Sequence, residues 1–212
     1  KWMCLMEAFK KYSYRRGNSV LMKIEDFSSR NYEKTRIKEL RGPGMPDIAQ
    51  DLSDLSRRSN DKVDYDSIFT LVRRAVKAKL GVERSGIGLA LSNLPAGLGA
   101  FWEVGGNFIV LNKTLVRAMA AAGKSQLEIN SFVFVILMHE YLHSIGILDE
   151  ASTRETTRKL CVSLFPEDHP AYVLGSKDPW QVYPFLLSVP SARGDNIEFV
   201  THFSTDSVPY IM

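Results

Sequence analysis

Two histidines and a glutamate stand at a spacing that can bind a metal ion. Residues 139–143 read His139-Glu140-Tyr141-Leu142-His143, an H-E-x-x-H motif. On an α-helix, residues four apart are separated by about 40° around the axis and about 6 Å along it, so both imidazoles lie on one face. Zinc at about 2.0–2.1 Å from each ring nitrogen fits this arrangement. Glu140 can reach water beside the metal without being a ligand, which makes it the candidate general base.

The residues before the motif indicate that it lies on a buried helix. Phe132 to Met138 are seven consecutive apolar residues, and a helix that is apolar on every side packs inside its domain. Two imidazoles and a carboxylate in such a helix are costly unless they are paired or bound to a metal. A pair of core histidines with satisfied hydrogen bonds beside a surface glutamate would be a purely structural explanation. The predicted burial favours the metal site.

Local signals predict the elements that position the motif. Ser125-Gln126-Leu127-Glu128 has the form of a capping box and predicts a helix over 126–145 that stops at Gly146. The Gly105-Gly106 pair between two β-prone runs predicts a hairpin with strands at 101–104 and 107–111. The remaining predicted elements are helices at 2–12, 48–58, 66–80 and 114–122, a strand at 86–91, and a helix opened by a second capping box at Ser152–Glu155 and ending before Pro166.

With its flanking residues, the motif resembles a known superfamily. His139-Glu140-x-x-His143-x-x-Gly146-x-x-Asp149 is similar to the zincin metallopeptidases and has the metzincin-type spacing, with Asp where a third His is usual. The resemblance implies a single cofactor, zinc, with His139, His143 and Asp149 as ligands and Glu140 as base and proton shuttle. Gly146 would permit the sharp turn that returns Asp149 toward the metal.

The sequence leaves the third ligand open. Asp149 has the required spacing, but an aspartate at this point also suits a helix N-cap. Glu155 follows the gluzincin pattern, in which a glutamate on the next helix completes the site, although 12 residues after His143 is a short gap for that branch. Glu150, His169 and His202 are further candidates for the third ligand.

The predicted fold class is α+β, with a small, mostly antiparallel sheet backed by helices and a buried active-site helix beneath it. The resemblance to the zincin catalytic core covers about residues 64–150. We predict a basic helical N-terminal extension at 1–60 and a zincin-like metallopeptidase domain at 61–212 with an irregular C-terminal part. Prolines divide that last part into loops and short pieces.

The composition of the 212 residues excludes several classes of protein. Hydrophobic residues make up 45% and charged residues 24%, which excludes a disordered chain, a collagen and a coiled coil. No apolar run approaches the roughly 20 residues of a membrane span. Cys4 and Cys161 do not form a C-x-x-C pair, and we predict two buried free thiols and a cytoplasmic location.

The predicted function is zinc-dependent hydrolysis of peptide bonds in a peptide or protein substrate. An edge strand at 101–104 or 107–111 would bind the substrate by strand addition. A second hypothesis is a metal-dependent endoribonuclease-like hydrolase, because some bacterial endoribonucleases place three histidines at the same spacings, with the third six positions after the second. The basic N-terminal segment also suits this hypothesis, since residues 1–41 hold 11 basic and 5 acidic side chains. Those ribonucleases lack the glutamate after the first histidine, which favours the peptidase. A third hypothesis is a non-catalytic zincin-like binding or regulatory domain.

Overall fold

The computed structural model describes residues 47–59, 62–190 and 197–200, which belong to one compact unit. Within them the chain combines seven α-helices with a small sheet, so the α+β class is confirmed. The helices are α1 Ile48–Arg58, α2 Tyr65–Leu80, α3 Lys113–Ala121, α4 Gln126–Ser144, α5 Glu150–Leu164, α6 Pro170–Ser176 and α7 Pro179–Val182. The strands are β1 Gly88–Ser92, β2 Ala100–Trp102, β3 Phe108–Asn112 and β4 Glu198–Phe199.

The four strands form one mixed sheet in the order β2-β3-β1-β4. The hairpin predicted around Gly105-Gly106 is confirmed, because β2 and β3 pair antiparallel with Trp102 opposite Ile109. The β1–β4 pairing is antiparallel too, but the central β1–β3 pairing is parallel over five residues. Two of the three strand pairings are therefore antiparallel. The longest pairing, β1–β3, is parallel because β2 runs opposite to both strands and lies on the far side of β3.

Helix α4 is the centre of the fold. The predicted capping box is present, since the Ser125 hydroxyl accepts from the Glu128 backbone N–H and the Glu128 carboxylate accepts from the Ser125 N–H. The segment from Phe132 to Met138 is buried on every side, as its composition predicts. The helix packs against the sheet and against α1, α2, α3, α5 and α6.

Helix α1 packs on the same core, although its sequence position falls within the predicted N-terminal extension. The Asn130 side chain on α4 donates to the Ser56 hydroxyl at 3.0 Å, and Arg74 on α2 donates to Asp51 at 3.0 Å. The predicted helix at 2–12 and Cys4 lie outside the described residues. Cys161 is buried with a free thiol, as predicted.

One prediction about the C-terminal third is corrected, and the predicted division by prolines into short pieces is present. The second capping box is wrong, because α5 begins at Glu150 and its N-cap is Asp149 rather than Ser152. The prolines also start short helices, since Pro170 and Pro179 stand in the first turns of α6 and α7, where a missing N–H costs nothing. No helix in the described part of the chain is long and apolar enough to cross a bilayer.

Asn112, at the end of β3, fixes the loop between β1 and β2. Its side chain is fully buried and donates to the carbonyls of Leu94, Pro95 and Leu98 at 3.0, 3.1 and 2.8 Å. Its side-chain oxygen accepts from the N–H groups of Leu94 and Thr114. One side chain therefore sets both the loop that leads into β2 and the start of α3.

Asn112→Ala should lower the free energy of unfolding by about 3 kcal/mol or more, because it leaves several buried backbone groups without partners. Urea denaturation of both proteins measures the difference. Asn107→Ala is the matched control, since Asn107 is exposed and its loss should change stability by less than about 0.5 kcal/mol. Equal losses in the two variants would contradict the assigned role of Asn112.

Candidate metal centre

His139 and His143 lie on one face of α4, as their four-residue spacing predicts. Their rings meet edge to face with centroids 4.8 Å apart, and their Nε2 atoms are 3.1 Å apart. Both side chains are 13% exposed, so the pair is mostly buried but still accessible to solvent.

Glu150, the first residue of α5, brings a carboxylate to the same point. Its Oε2 lies 3.3 Å from the His143 Nε2 and 3.4 Å from the His139 Nε2. The three atoms form a nearly equilateral triangle. Ligand atoms about 2.0–2.1 Å from a tetrahedral zinc are about 3.3–3.4 Å from one another. The donor types and their separations therefore fit a metal ion of this kind.

The remaining candidate ligands that the structure describes lie elsewhere. The Asp149 carboxylate accepts from the Ser152 N–H at 2.8 Å and caps α5. Glu155 pairs with Arg158 at 2.7 Å, and His169 caps α6 by accepting from the Ala171 N–H. The carboxylate that the structure places beside the two imidazoles is thus that of Glu150 and not that of Asp149, the third ligand favoured by the sequence. His202 lies outside the described residues.

The turn after α4 explains how Glu150 reaches the histidines. Gly146 has φ +108°, a conformation that favours glycine, and the chain reverses there as expected. The Ile147 carbonyl then faces the His143 Nδ1 at 2.8 Å, and Thr153 donates to that same carbonyl at 2.8 Å. In the neutral imidazole, a hydrogen bond from Nδ1–H to a backbone carbonyl leaves Nε2 unprotonated, which is the form that binds a metal.

Charges around the triangle favour a cation. Burial alone would lower the pKa of His143, but the hydrogen bond to Glu150 and the charge of Glu140 raise it above its usual value. Burial opposes ionisation of Glu150, yet its hydrogen bonds to the two histidines and to Arg154 hold its pKa well below the usual range. The Arg154 Nε donates to the second Glu150 oxygen at 2.9 Å, which directs the first toward the histidines.

Glu140 lies beside the triangle in a buried position. Its Oε2 accepts from the backbone N–H of Trp102, the last residue of β2, at 3.0 Å. Burial raises the pKa of Glu140 to about 7, although the nearby histidines act in the opposite direction. A carboxyl group in this state can both accept and return a proton near neutral pH.

Two residues that contact these groups, Trp102 and Thr153, were not predicted from the sequence, and neither was Arg84, which contacts Trp102. Trp102 acts through its backbone N–H, and Arg84 acts through contacts to residues distant in sequence. Thr153 stands in the predicted capping box at Ser152–Glu155, but that pattern did not indicate its contacts with Ile147 and His143. The hairpin signal located Trp102 on a strand but did not indicate that this strand lies against α4. No family model, curated protein or solved structure matches this chain with significance.

Proposed function

We propose that this chain is a zinc-dependent peptidase with a zincin-like core. The observation that carries the proposal is the triangle of two imidazole nitrogens and one carboxylate oxygen with Glu140 buried beside it. A His₂Glu donor set is one that catalytic zinc sites of peptidases use. Here the glutamate comes from the helix that follows the motif, which resembles the gluzincin arrangement more than the metzincin one.

His139, His143 and Glu150 would hold the ion. When bound, zinc polarises a carbonyl and lowers the pKa of water toward neutrality. Glu140 takes the proton from the attacking water and passes it to the amide nitrogen that leaves. The Trp102 N–H keeps one oxygen of Glu140 in place during both transfers.

Strand β2 is the proposed binding edge for an extended peptide. Among the strands that the structure describes, β2 pairs with β3 on one side, whereas β3 pairs on both sides, so residues 100–102 and not 107–111 form the edge. The Asn112 N–H bonds to the Gly99 carbonyl at 2.9 Å. By the alternation of an antiparallel pair, the backbone groups of Ala100 and Trp102 then face away from β3. The Trp102 N–H meets Glu140 on that side, so a peptide added there would lie beside the base.

The donor set favours the peptidase over the two competing hypotheses. An endoribonuclease-like site has three histidines and lacks the glutamate after the first, whereas this site has two histidines, Glu150 and Glu140. A non-catalytic binding domain would be favoured by a missing third ligand, and Glu150 supplies one.

Removing the metal tests the proposal directly. The purified protein should contain about one zinc per chain and cleave members of a mixed peptide library, with the products read by mass spectrometry. Treatment with 1,10-phenanthroline should remove both the zinc and the activity, and added zinc should restore both. His139→Ala should retain neither. Cleavage that survives complete zinc removal, or zinc-loaded protein that cleaves RNA and no peptide, would reject the proposal.

A further inference from the structure

Arg84, in the loop between α2 and β1, joins two elements that meet at the site. Its guanidinium donates to the Ser144 carbonyl at 2.7 Å through Nη1 and to the Gly106 carbonyl at 3.0 Å through Nη2. The same group lies over the Trp102 ring, 5.2 Å from its centroid. One side chain therefore contacts the end of α4, the turn of the β2–β3 hairpin and the last residue of β2.

Both of the carbonyls that Arg84 binds adjoin groups of the site. Ser144 is the last residue of α4 and follows His143, and a cation is favourable at a helix C-terminus. The Gly106 carbonyl also accepts from the Trp102 indole N–H at 2.8 Å. The Trp102 backbone N–H is the donor to Glu140. Through the hairpin, the Arg84 side chain is thus connected to the base.

The backbone of Arg84 is itself fixed to α4. Its N–H donates to the Tyr141 hydroxyl at 2.8 Å, and that hydroxyl lies 3.4 Å from its carbonyl oxygen. Tyr141 is fully buried and follows Glu140 in the motif. The backbone of Arg84 is therefore attached to α4, and its guanidinium attaches the hairpin to the same helix.

We propose that Arg84 is a positioning residue that holds the β2–β3 hairpin against α4, so that the Trp102 N–H meets Glu140. Its planar group binds two carbonyls through two separate nitrogens while it lies over the indole ring, and a compact lysine ammonium lacks this fork. The expected effect of Arg84 on turnover rests on the proposed peptidase function. The expected effect of Arg84 on the position of the hairpin does not depend on that function.

Arg84→Gln and Arg84→Lys test the role in the intact, zinc-loaded protein. Three quantities are measured: zinc content, hydrogen exchange along the chain, and kcat and KM for a peptide that the wild-type protein cleaves. Arg74→Gln is the matched control, because Arg74 pairs with Asp51 on the exposed side of α2. Glu140→Gln, alone and combined with Arg84→Gln, shows whether the two residues act together.

Arg84→Gln should keep its zinc and show faster exchange confined to residues 99–107. Its kcat should fall by about 10- to 100-fold with little change in KM, as expected for a small misplacement of a catalytic group. Arg84→Lys should lie between this variant and the wild type, and Arg74→Gln should match the wild type. In the Glu140→Gln background, Arg84→Gln should cause little further loss.

Three results would overturn the role of Arg84. The first is hydrogen exchange at 99–107 in Arg84→Gln that equals the wild type. The second is faster exchange throughout the chain together with loss of zinc. The third is a loss of turnover from Arg84→Gln that is as large in the Glu140→Gln background as in the wild type. If the wild-type protein cleaves no peptide, the proposed function fails, and exchange at 99–107 still decides whether Arg84 holds the hairpin.

Discussion

Glu140→Gln should lower peptide hydrolysis by about 10²- to 10⁴-fold while zinc content stays at the wild-type level. The substitution keeps the size of the side chain and an oxygen that can accept from the Trp102 N–H, so the hairpin and α4 should keep their contact. What is lost is the group that takes a proton from water. Initial rates at saturating peptide, with zinc measured on the same samples, give both quantities.

Glu167→Gln is the control for removing a negative charge, because Glu167 lies exposed in the loop before α6. It should leave both rate and zinc content unchanged. Turnover near the wild-type rate in zinc-loaded Glu140→Gln would remove Glu140 from the mechanism. Loss of zinc together with activity would instead make Glu140 part of the metal site, contrary to the geometry in which it lies beside the ligand triangle.

The histidine pair was predictable because its geometry is local. Residues four apart on a helix share a face whatever surrounds them, and the capping box and the apolar run from Phe132 to Met138 specified the helix. The reversal at Gly146 was predictable for the same reason, since it depends on the backbone freedom of one residue.

The position of Glu150 beside the two histidines was harder to predict because it depends on where α5 begins. Asp149 and Glu150 are neighbours in the sequence. If α5 began one residue later, Glu150 would take the N-cap position that Asp149 now holds. Asp149 takes the N-cap position and its carboxylate binds the Ser152 N–H. Glu150 is the first residue inside the helix, and side chains there tilt toward the helix N-terminus, back toward α4. Competition between two acidic residues for the cap is settled by the packing of α5, which sequence patterns do not report.

The arrangement around the base depended even more on tertiary structure. The parallel β1–β3 pairing joins segments about 20 residues apart, and no local signal distinguishes it from an antiparallel pairing. Arg84 contacts residues 22 and 60 positions away along the chain. An isolated arginine in a loop is typically solvated, so its function as a link between α4 and the hairpin follows from the fold alone.

Glu150→Gln should weaken zinc binding by more than the roughly 10- to 100-fold that is typical when a residue that only orients a ligand is changed. A neutral amide oxygen is a poorer zinc ligand than a carboxylate, and the two histidines would hold the ion alone. Asp149→Asn should leave zinc affinity unchanged and alter stability by only a few tenths of a kcal/mol, because asparagine caps helices about as well as aspartate. Competition against a chelating dye at fixed pH measures the affinity of each variant.

Glu155→Gln completes the comparison, since Glu155 lies on the same helix and pairs with Arg158 away from the triangle. Its zinc affinity should equal that of the wild type, which separates loss of a ligand from loss of any negative charge on α5. Strong loss of zinc in Asp149→Asn with little change in Glu150→Gln would restore the metzincin-type ligand set. Loss in Glu155→Gln alone would move the third ligand one turn along α5. Loss confined to Glu150→Gln would support the proposal that the first residue of α5 completes the site, since among the described residues only its carboxylate lies within 3.4 Å of both imidazoles.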